Sequence, residues 1–165
     1  MRLFIAISLS DAVKEALIDA QNIMYDCGVR GSYTKEENLH MTLAFIGEYP
    51  DTDTIMEALS TVVATPFDLT LKGVGCFGDL WWAGIDESVP LSSVVRRIRR
   101  ALAEGAIPFD KKKFTPHITL IRKARGKMPG IQIPPISMTV DSISLMRSDQ
   151  SKSGMIYTEV ERYKF

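Results

Sequence analysis

Apolar runs of strand length alternating with amphipathic helical stretches predict a mixed α and β domain, and two observations divide it into similar halves. The order strand, helix, strand recurs along the chain. Each recurrence also carries the same short word, His40-Met41-Thr42-Leu43 in the first half and His117-Ile118-Thr119-Leu120 in the second. The chain has two histidines, and both have threonine two places on and leucine three places on. With 11 threonines in 165 residues, both His-Thr pairings arise by chance about once in 200 trials. Residue identity between the halves is otherwise slight, so the duplication is inferred from element order. A length of 165 residues fits one domain, 1–165, made of two small lobes.

The elements follow in order. Residues 2–8 are apolar almost throughout and predict a central strand. Ser10 or Asp11 then caps a helix with Val13, Leu17, Ala20 and Met24 on one face, and Gly28 stands where a helix ends. Tyr33 to Asn38 form a polar lead-in to the first motif strand, about 39–47, where Met41, Leu43 and Phe45 are expected on the core face, opposite His40 and Thr42. A helix is expected near 52–64 with Ile55, Leu59, Val62 and Val63 inward. Phe67, Leu69, Leu71 and Val74 then mark a half-buried strand. Gly73, Gly75 and Gly78 read as bulges and turns before Trp81-Trp82-Ala83-Gly84-Ile85. Adjacent tryptophans on a strand point to opposite faces. One belongs to the core, and the other, with Phe77, either lines a base pocket or packs inward, the inward reading being favoured. Pro90 opens a third helix ending at Gly105, with Leu91, Val94, Val95, Ile98 and Leu102 inward. Pro116 starts the second motif strand. Residues 124–135 are expected as an exposed loop able to fold over the cleft. Ile136, Met138 and Val140 predict a strand, followed by a strand pair with a polar turn over Ser148–Gly154.

Composition excludes several classes. Hydrophobic content of 45% and charged content of 24% describe an ordinary globular chain, not a disordered or membrane-spanning one. Cys27 and Cys76 are too few for a disulfide framework and lack metal-ligand spacing. The run Leu3–Ile7 is too short for a signal-peptide core or a membrane span, so a cytoplasmic location is expected. Net charge is formally zero but unevenly laid out. Residues 96–127 hold 11 Lys and Arg against 2 Asp and Glu, as a polyanion-binding rim requires. For any single one of these cations, a solvated helix face or a charged loop is the favoured reading. Arg122 and Lys123, directly after the motif, are the exceptions.

On an extended strand, residues i and i+2 share a face, so each motif offers one imidazole and one hydroxyl side by side. Two such pairs facing one another supply an acid, a base and two hydroxyl donors for anionic oxygens. That set suits in-line displacement at phosphorus, which needs a base on the entering side and an acid on the leaving side. No metal ligand cluster is apparent, and two histidines alone make a poor zinc site; no cofactor is expected. A lone histidine of this kind is as readily a satisfied residue at a strand edge. The matched pair points to chemistry, but the spacing does not say which ring is acid and which base.

The stretches Glu37 to Glu48 and Phe114 to Arg122 resemble the paired His-x-Thr signatures of the two-histidine phosphoesterase superfamily, and within it the RNA 2′,3′-cyclic phosphodiesterase family, once called 2′-5′ RNA ligases. The likeness extends to Arg2-Leu3-Phe4-Ile5-Ala6-Ile7, to Phe77 with Trp82-Ala83-Gly84-Ile85, and to Leu145-Met146-Arg147-Ser148 before Tyr157. The resemblance implies an α+β fold of two lobes, each a mainly antiparallel sheet with outer helices, the motif strands lining a groove between. It implies that His40 donates a proton to the leaving ribose oxygen, that His117 activates water to leave a 2′-phosphate, and that Thr42 and Thr119 hold the phosphate. Arg122 matches a position that helps bind the phosphate. The family often carries Trp where Tyr33 stands and Pro where Glu36 stands, and Tyr33 either stacks on a base or packs against a neighbouring strand. Expected partners are RNA ends or small cyclic nucleotides, with no membrane, no obligatory protein partner and a monomeric state; reverse 2′-5′ ligation belongs to the same reading. Two alternatives remain: the same centre acting on another small ester, such as a 2′-5′ oligoadenylate or a cyclic nucleotide phosphate, and a non-catalytic RNA-binding module.

Overall fold

The computed structural model describes all residues, Met1–Phe165. It is an α+β fold of two antiparallel sheets. The first sheet is built from β1 (Arg2–Ser8), β3 (His40–Glu48), β8 (Ser142–Ser151) and β9 (Gly154–Lys164); the second from β2 (Arg30–Tyr33), β4 (Phe67–Phe77), β5 (Leu80–Ile85), β6 (Ile118–Arg125) and β7 (Ser137–Val140). The first has the order β3-β1-β8-β9 and the second β2-β6-β5-β4-β7. One motif lies on β3 and the other at the start of β6. The two sheets match strand for strand from the motif strand outward, β3-β1-β8-β9 against β6-β5-β4-β7, with β2 added beyond β6. One contiguous core of 37 buried residues runs through both, so the lobes are not independently cored.

The helices form for local reasons and pack crosswise. Helix α1 (Asp11–Asp26) is capped by the Ser10 hydroxyl, which accepts from the Val13 amide at 3.3 Å. Its Val13, Leu17, Ala20 and Met24 face is buried, and Gly28 beyond its end has φ of +91°, the left-handed conformation that suits glycine. Helix α1 follows a strand of the first sheet yet packs against β6 of the second. Buried Gln21 fixes it there, donating from Nε2 to the Leu120 carbonyl at 3.0 Å and the Thr34 carbonyl at 2.9 Å. Thus a helix of the first half supports the second motif. Helix α2 spans Thr52–Leu59. Helix α3 (Val89–Glu104), capped by Ser88 and with Pro90 in its first turn, packs against β3 and β4.

Several expectations are corrected. A strand, β2, precedes the polar lead-in Tyr33–Asn38 and meets it at Tyr33; its residues are largely exposed, so no apolar alternation announces it. Helix α2 ends five residues early, and Val63 is exposed; Thr61 and Ser60 turn the chain by hydroxyl bonds to carbonyls three residues back. Residues 126–136 do not fold over the cleft. Buried Ile133 and its neighbours lie along α1, on the far side of the second sheet. The terminal hairpin is longer than expected, its turn reduced to Lys152-Ser153. Two of the three glycines mark irregularities: Gly73, with φ of +70°, sits in a bulge of β4, and Gly78, with φ of +60°, in the β4–β5 turn, whereas Gly75 lies in the regular ladder opposite Trp82.

Candidate active site

Both motif strands break alternation at the same place. Along β1–β3 the register runs Ile5 to Ala44 and then Ala6 to Thr42, leaving Leu43 as the extra residue of a bulge. Along β5–β6 it runs Trp81 to Ile121 and then Trp82 to Thr119, leaving Leu120 extra. In each strand two consecutive residues after the threonine are therefore buried, Leu43-Ala44 and Leu120-Ile121. The residue five places after the histidine returns to the histidine's face. That residue is Arg122 on β6 and Phe45 on β3. Phe45, expected in the core, instead lines the same hollow as His40.

His40 is held on every side. Its Nδ1 lies 2.6 Å from the Asn38 carbonyl. A carbonyl only accepts, so Nδ1 carries a proton and Nε2 is the atom free to gain or lose one. Nε2 lies 2.9 Å from Thr42 Oγ1. The ring packs against Phe4 at 5.0 Å and edge-on to Tyr157 at 5.1 Å between centroids. Burial lowers the imidazole pKa most; the bond to the Asn38 carbonyl opposes this, and the charges of Arg122 and His117 add to the lowering. Arg122 on β6 and His117 just before it therefore lie within electrostatic reach of His40.

His117 repeats the anchoring. Its Nδ1 lies 2.7 Å from the Thr115 carbonyl, again two residues back, so Nδ1 carries the proton there and Nε2 is the ring nitrogen left without a protein partner. Phe77 stands edge-on to the ring at 5.3 Å. Thr119, Trp82 and Gly75 lie side by side across β6, β5 and β4. Gly75 is required there: a Cβ would fall 2.4 Å from the Trp82 indole. Trp81 is the core tryptophan. Trp82 is half-buried on the other face, 5.2 Å from Phe77, so the inward reading for this pair is corrected.

The hollow at His40 has a volume of about 340 Å³. Thr42, Phe45, Arg122, Ser148 and Tyr157 line it, with Arg2 stacked over the Phe45 ring at 4.8 Å. His117, just before β6, and Thr119, within it, are not part of its wall. Arg122 is exposed and makes no ion pair; the salt bridges of the chain all lie elsewhere. Tyr33 donates from its hydroxyl to the Val29 carbonyl at 2.8 Å and packs edge-on to Tyr25, while its side chain also borders a small hollow shared with Arg122 and Tyr157. Asn38, buried, joins the terminal hairpin to the motif strand: its Nδ2 donates to the Met155 carbonyl at 2.9 Å.

The sequence alone assigns no place at the site to Asn38, Phe4, Phe45 or Tyr157. Phe45 was findable by parity with Arg122, each five residues after its histidine; Asn38 carried no signal, because its contact spans 117 residues. No group of three or more His, Cys, Asp or Glu side chains is placed to hold a metal. No helix is long and apolar enough to cross a membrane. Chemically, the two motifs offer two imidazoles whose Nδ1 atoms are held by carbonyls, two hydroxyls and a guanidinium without an ion-pair partner, a set suited to a phosphodiester.

Comparison with known proteins agrees. The family described as the 2′-5′ RNA ligase superfamily matches residues 24–152. The chain is 32% identical to an RNA 2′,3′-cyclic phosphodiesterase of Thermus thermophilus, over 99% of this chain and 89% of that one. It is 30% identical to a protein of the same description from Geobacillus stearothermophilus, over 91% of this chain; the match spans about half, 53%, of that longer protein. The structure of Escherichia coli LigT complexed with 3′-AMP superimposes with a TM-score of 0.82 at 26% identity, covering 99% of this chain and 97% of LigT. On the shared motifs, fold and sequence, the chain belongs to the 2′-5′ RNA ligase superfamily.

Proposed function

We propose that this protein hydrolyses the 2′,3′-cyclic phosphate ends of RNA to 2′-phosphomonoesters, using His40 as general acid and His117 as general base. The observation that carries the reading is the shared anchoring of the two rings. Each Nδ1–H is bound by the carbonyl two residues back, so each imidazole presents Nε2 as its reactive atom. Water loses a proton to His117 and attacks phosphorus; the P–O3′ bond breaks, and the 3′-oxygen takes the proton of His40. Each proton transfer contributes about 10²–10⁴ in rate. The hydroxyls of Thr42 and Thr119, with Arg122, donate to the nonbridging oxygens, whose charge grows in the transition state. With His40 protonated, its Nε2–H donates to Thr42 Oγ1, which leaves the Thr42 O–H free for the phosphate, and His40 exchanges that bond for the leaving oxygen. The names of the relatives support the substrate class, RNA 2′,3′-cyclic phosphodiesterase.

The test is turnover of 2′,3′-cyclic AMP with the product's end group identified. A 2′-phosphate is expected, and a 3′-phosphate would reverse the assignment of the leaving oxygen. Turnover undiminished by EDTA is expected, since imidazoles supply both proton transfers; loss of activity on chelation, restored by added metal, would defeat the metal-free mechanism.

A further inference from the structure

The cations of residues 96–127 are not one patch. On α3, Arg97 donates to the Val63 carbonyl at 2.6 Å and Arg99 to the Lys112 carbonyl at 2.8 Å, tying loops to the helix. The cations at the end of β6 make no such bonds. Arg122, Lys123 and Arg125 are all exposed and form no ion pair. Their backbone is also unusual. Lys123 has φ of +55°, the left-handed region that costs a non-glycine residue about 1 kcal/mol or more. This break in alternation leaves Arg122 and Lys123 exposed in succession. Opposite them, Gly31 has no side chain, and a Cβ there would fall 2.9 Å from the Lys123 carbonyl. The missing side chain lets the backbone of β2 pack closely against β6 at this point.

Three hollows are joined by shared walls. The one at His40 shares Arg122, Met155 and Tyr157 with a small hollow beside Tyr33 and Lys35. That one shares Ser32 with a wide depression of about 790 Å³ lined by Gly31, Lys123, Ala124 and Arg125. Asp79 is the one acidic residue along this path; its backbone carbonyl accepts from the Ala124 amide at 2.9 Å. A trough bearing Arg122, Lys35, Lys123 and Arg125 against one carboxylate thus leads away from the reactive imidazole. It extends well beyond the 340 Å³ hollow at His40 itself.

We propose that this trough binds the single-stranded RNA chain upstream of the reacting nucleotide, with Lys123 and Arg125 holding backbone phosphates that a mononucleotide lacks. The proposal rests on the hydrolytic reading above and adds to it a preference for length. It predicts that the protein distinguishes an RNA end from a free cyclic nucleotide by charge contacts remote from phosphorus.

The experiment compares 2′,3′-cyclic AMP with a short single-stranded oligoribonucleotide ending in a 2′,3′-cyclic phosphate, in the wild type and in Lys123→Glu/Arg125→Glu. Binding of the same oligonucleotide with a 2′-phosphate end is followed in parallel by fluorescence anisotropy. In the wild type, KM for the oligonucleotide is expected to be the lower of the two. The double variant is expected to raise that KM tenfold or more while leaving kcat and KM for the mononucleotide within about twofold. The slope of log affinity against log salt flattens by about 1.4, roughly 0.7 for each single-strand phosphate that the protein no longer neutralises. Lys123→Gln/Arg125→Gln provides the same comparison without charge reversal, should the first variant fold poorly. Equal KM for both substrates in the wild type, or equal losses on both in the variants, would overturn the track. If the wild type turns over neither substrate yet binds the 2′-phosphate oligonucleotide in a Lys123- and Arg125-dependent way, the track stands and the hydrolytic reading falls.

Discussion

Replacing Arg122 by glutamine separates phosphate binding from proton transfer in one variant. The guanidinium is exposed, lines the His40 hollow and has no carboxylate partner, so its removal breaks no internal ion pair. Surface changes of this kind stay within about 0.5 kcal/mol of stability, or about 2 °C in Tm for a chain of this size. A hydrogen bond to a charged group contributes about 1.5–3 kcal/mol. Loss of such bonds to the phosphate therefore lowers kcat/KM by about 10- to 150-fold. The second effect has a sign. Burial, then Arg122 and His117, lower the pKa of His40; without Arg122 that pKa rises. The profile of kcat/KM against pH reports groups of the free enzyme. An acid must be protonated to act, so if His40 is the acid its ionisation sets the alkaline limb, and Arg122→Gln moves that limb to higher pH. If His40 is the base, the acidic limb moves instead. The assay is initial-rate hydrolysis of 2′,3′-cyclic AMP across the pH range in wild type and variant. A shift confined to the acidic limb would refute the assignment of roles, and an unshifted profile with unchanged kcat/KM would refute the placing of Arg122 at the phosphate.

Three further outcomes follow from the geometry. His40→Ala and His117→Ala should each lower kcat by about 10²–10⁴, while the double variant falls little below the worse single one, since residues acting as a unit are not additive; near-normal turnover in either single variant rejects the pair. Gly75→Ala puts a methyl 2.4 Å from the Trp82 indole, an overpacking that costs about 1–3 kcal/mol and lowers Tm by about 2–12 °C, with changed tryptophan fluorescence. Adding Trp82→Leu should restore most of the loss, and an unchanged Tm in Gly75→Ala contradicts the packing. Asn38→Ala keeps the backbone carbonyl that binds His40 but strands the Met155 carbonyl, so Tm should fall by a few degrees, as about 1–2 kcal/mol requires. KM should rise more than kcat falls as the hairpin bearing Tyr157 loosens, and equal effects on both would argue against that route.

The fold class, the three helices and both histidines were legible because each rests on a local signal. Ser10 and Ser88 cap their helices within three residues, the apolar faces of α1 and α3 follow helical spacing, and the two His-x-Thr words declare themselves without tertiary context. What escaped depended on distant partners. β2 has no apolar alternation because it is an edge strand with exposed residues, and its partner β6 lies some ninety positions on. The loop after β6 was expected over the cleft from its Lys, Gly and Pro content, yet Ile133 decided otherwise by burial against α1. Tyr157 reaches His40 only because the terminal hairpin returns to the first sheet, beside β1.

The bulge is the device that turns a two-residue repeat into a three-group site. Plain alternation after the histidine shows the groove positions i, i+2 and i+4, which would expose Ala44 and Ile121 and bury Phe45 and Arg122. One extra residue after each threonine exchanges those faces, so i, i+2 and i+5 stand together. The shared pattern gives each half an imidazole and a hydroxyl, and the fifth position makes the halves differ. On β6 it is a guanidinium that no carboxylate neutralises; on β3 it is an aromatic ring under Arg2. The unequal fifth residues, together with the packing of His40 between Phe4 and Tyr157, make the two sides of the groove chemically different, which suits the division into acid and base proposed above.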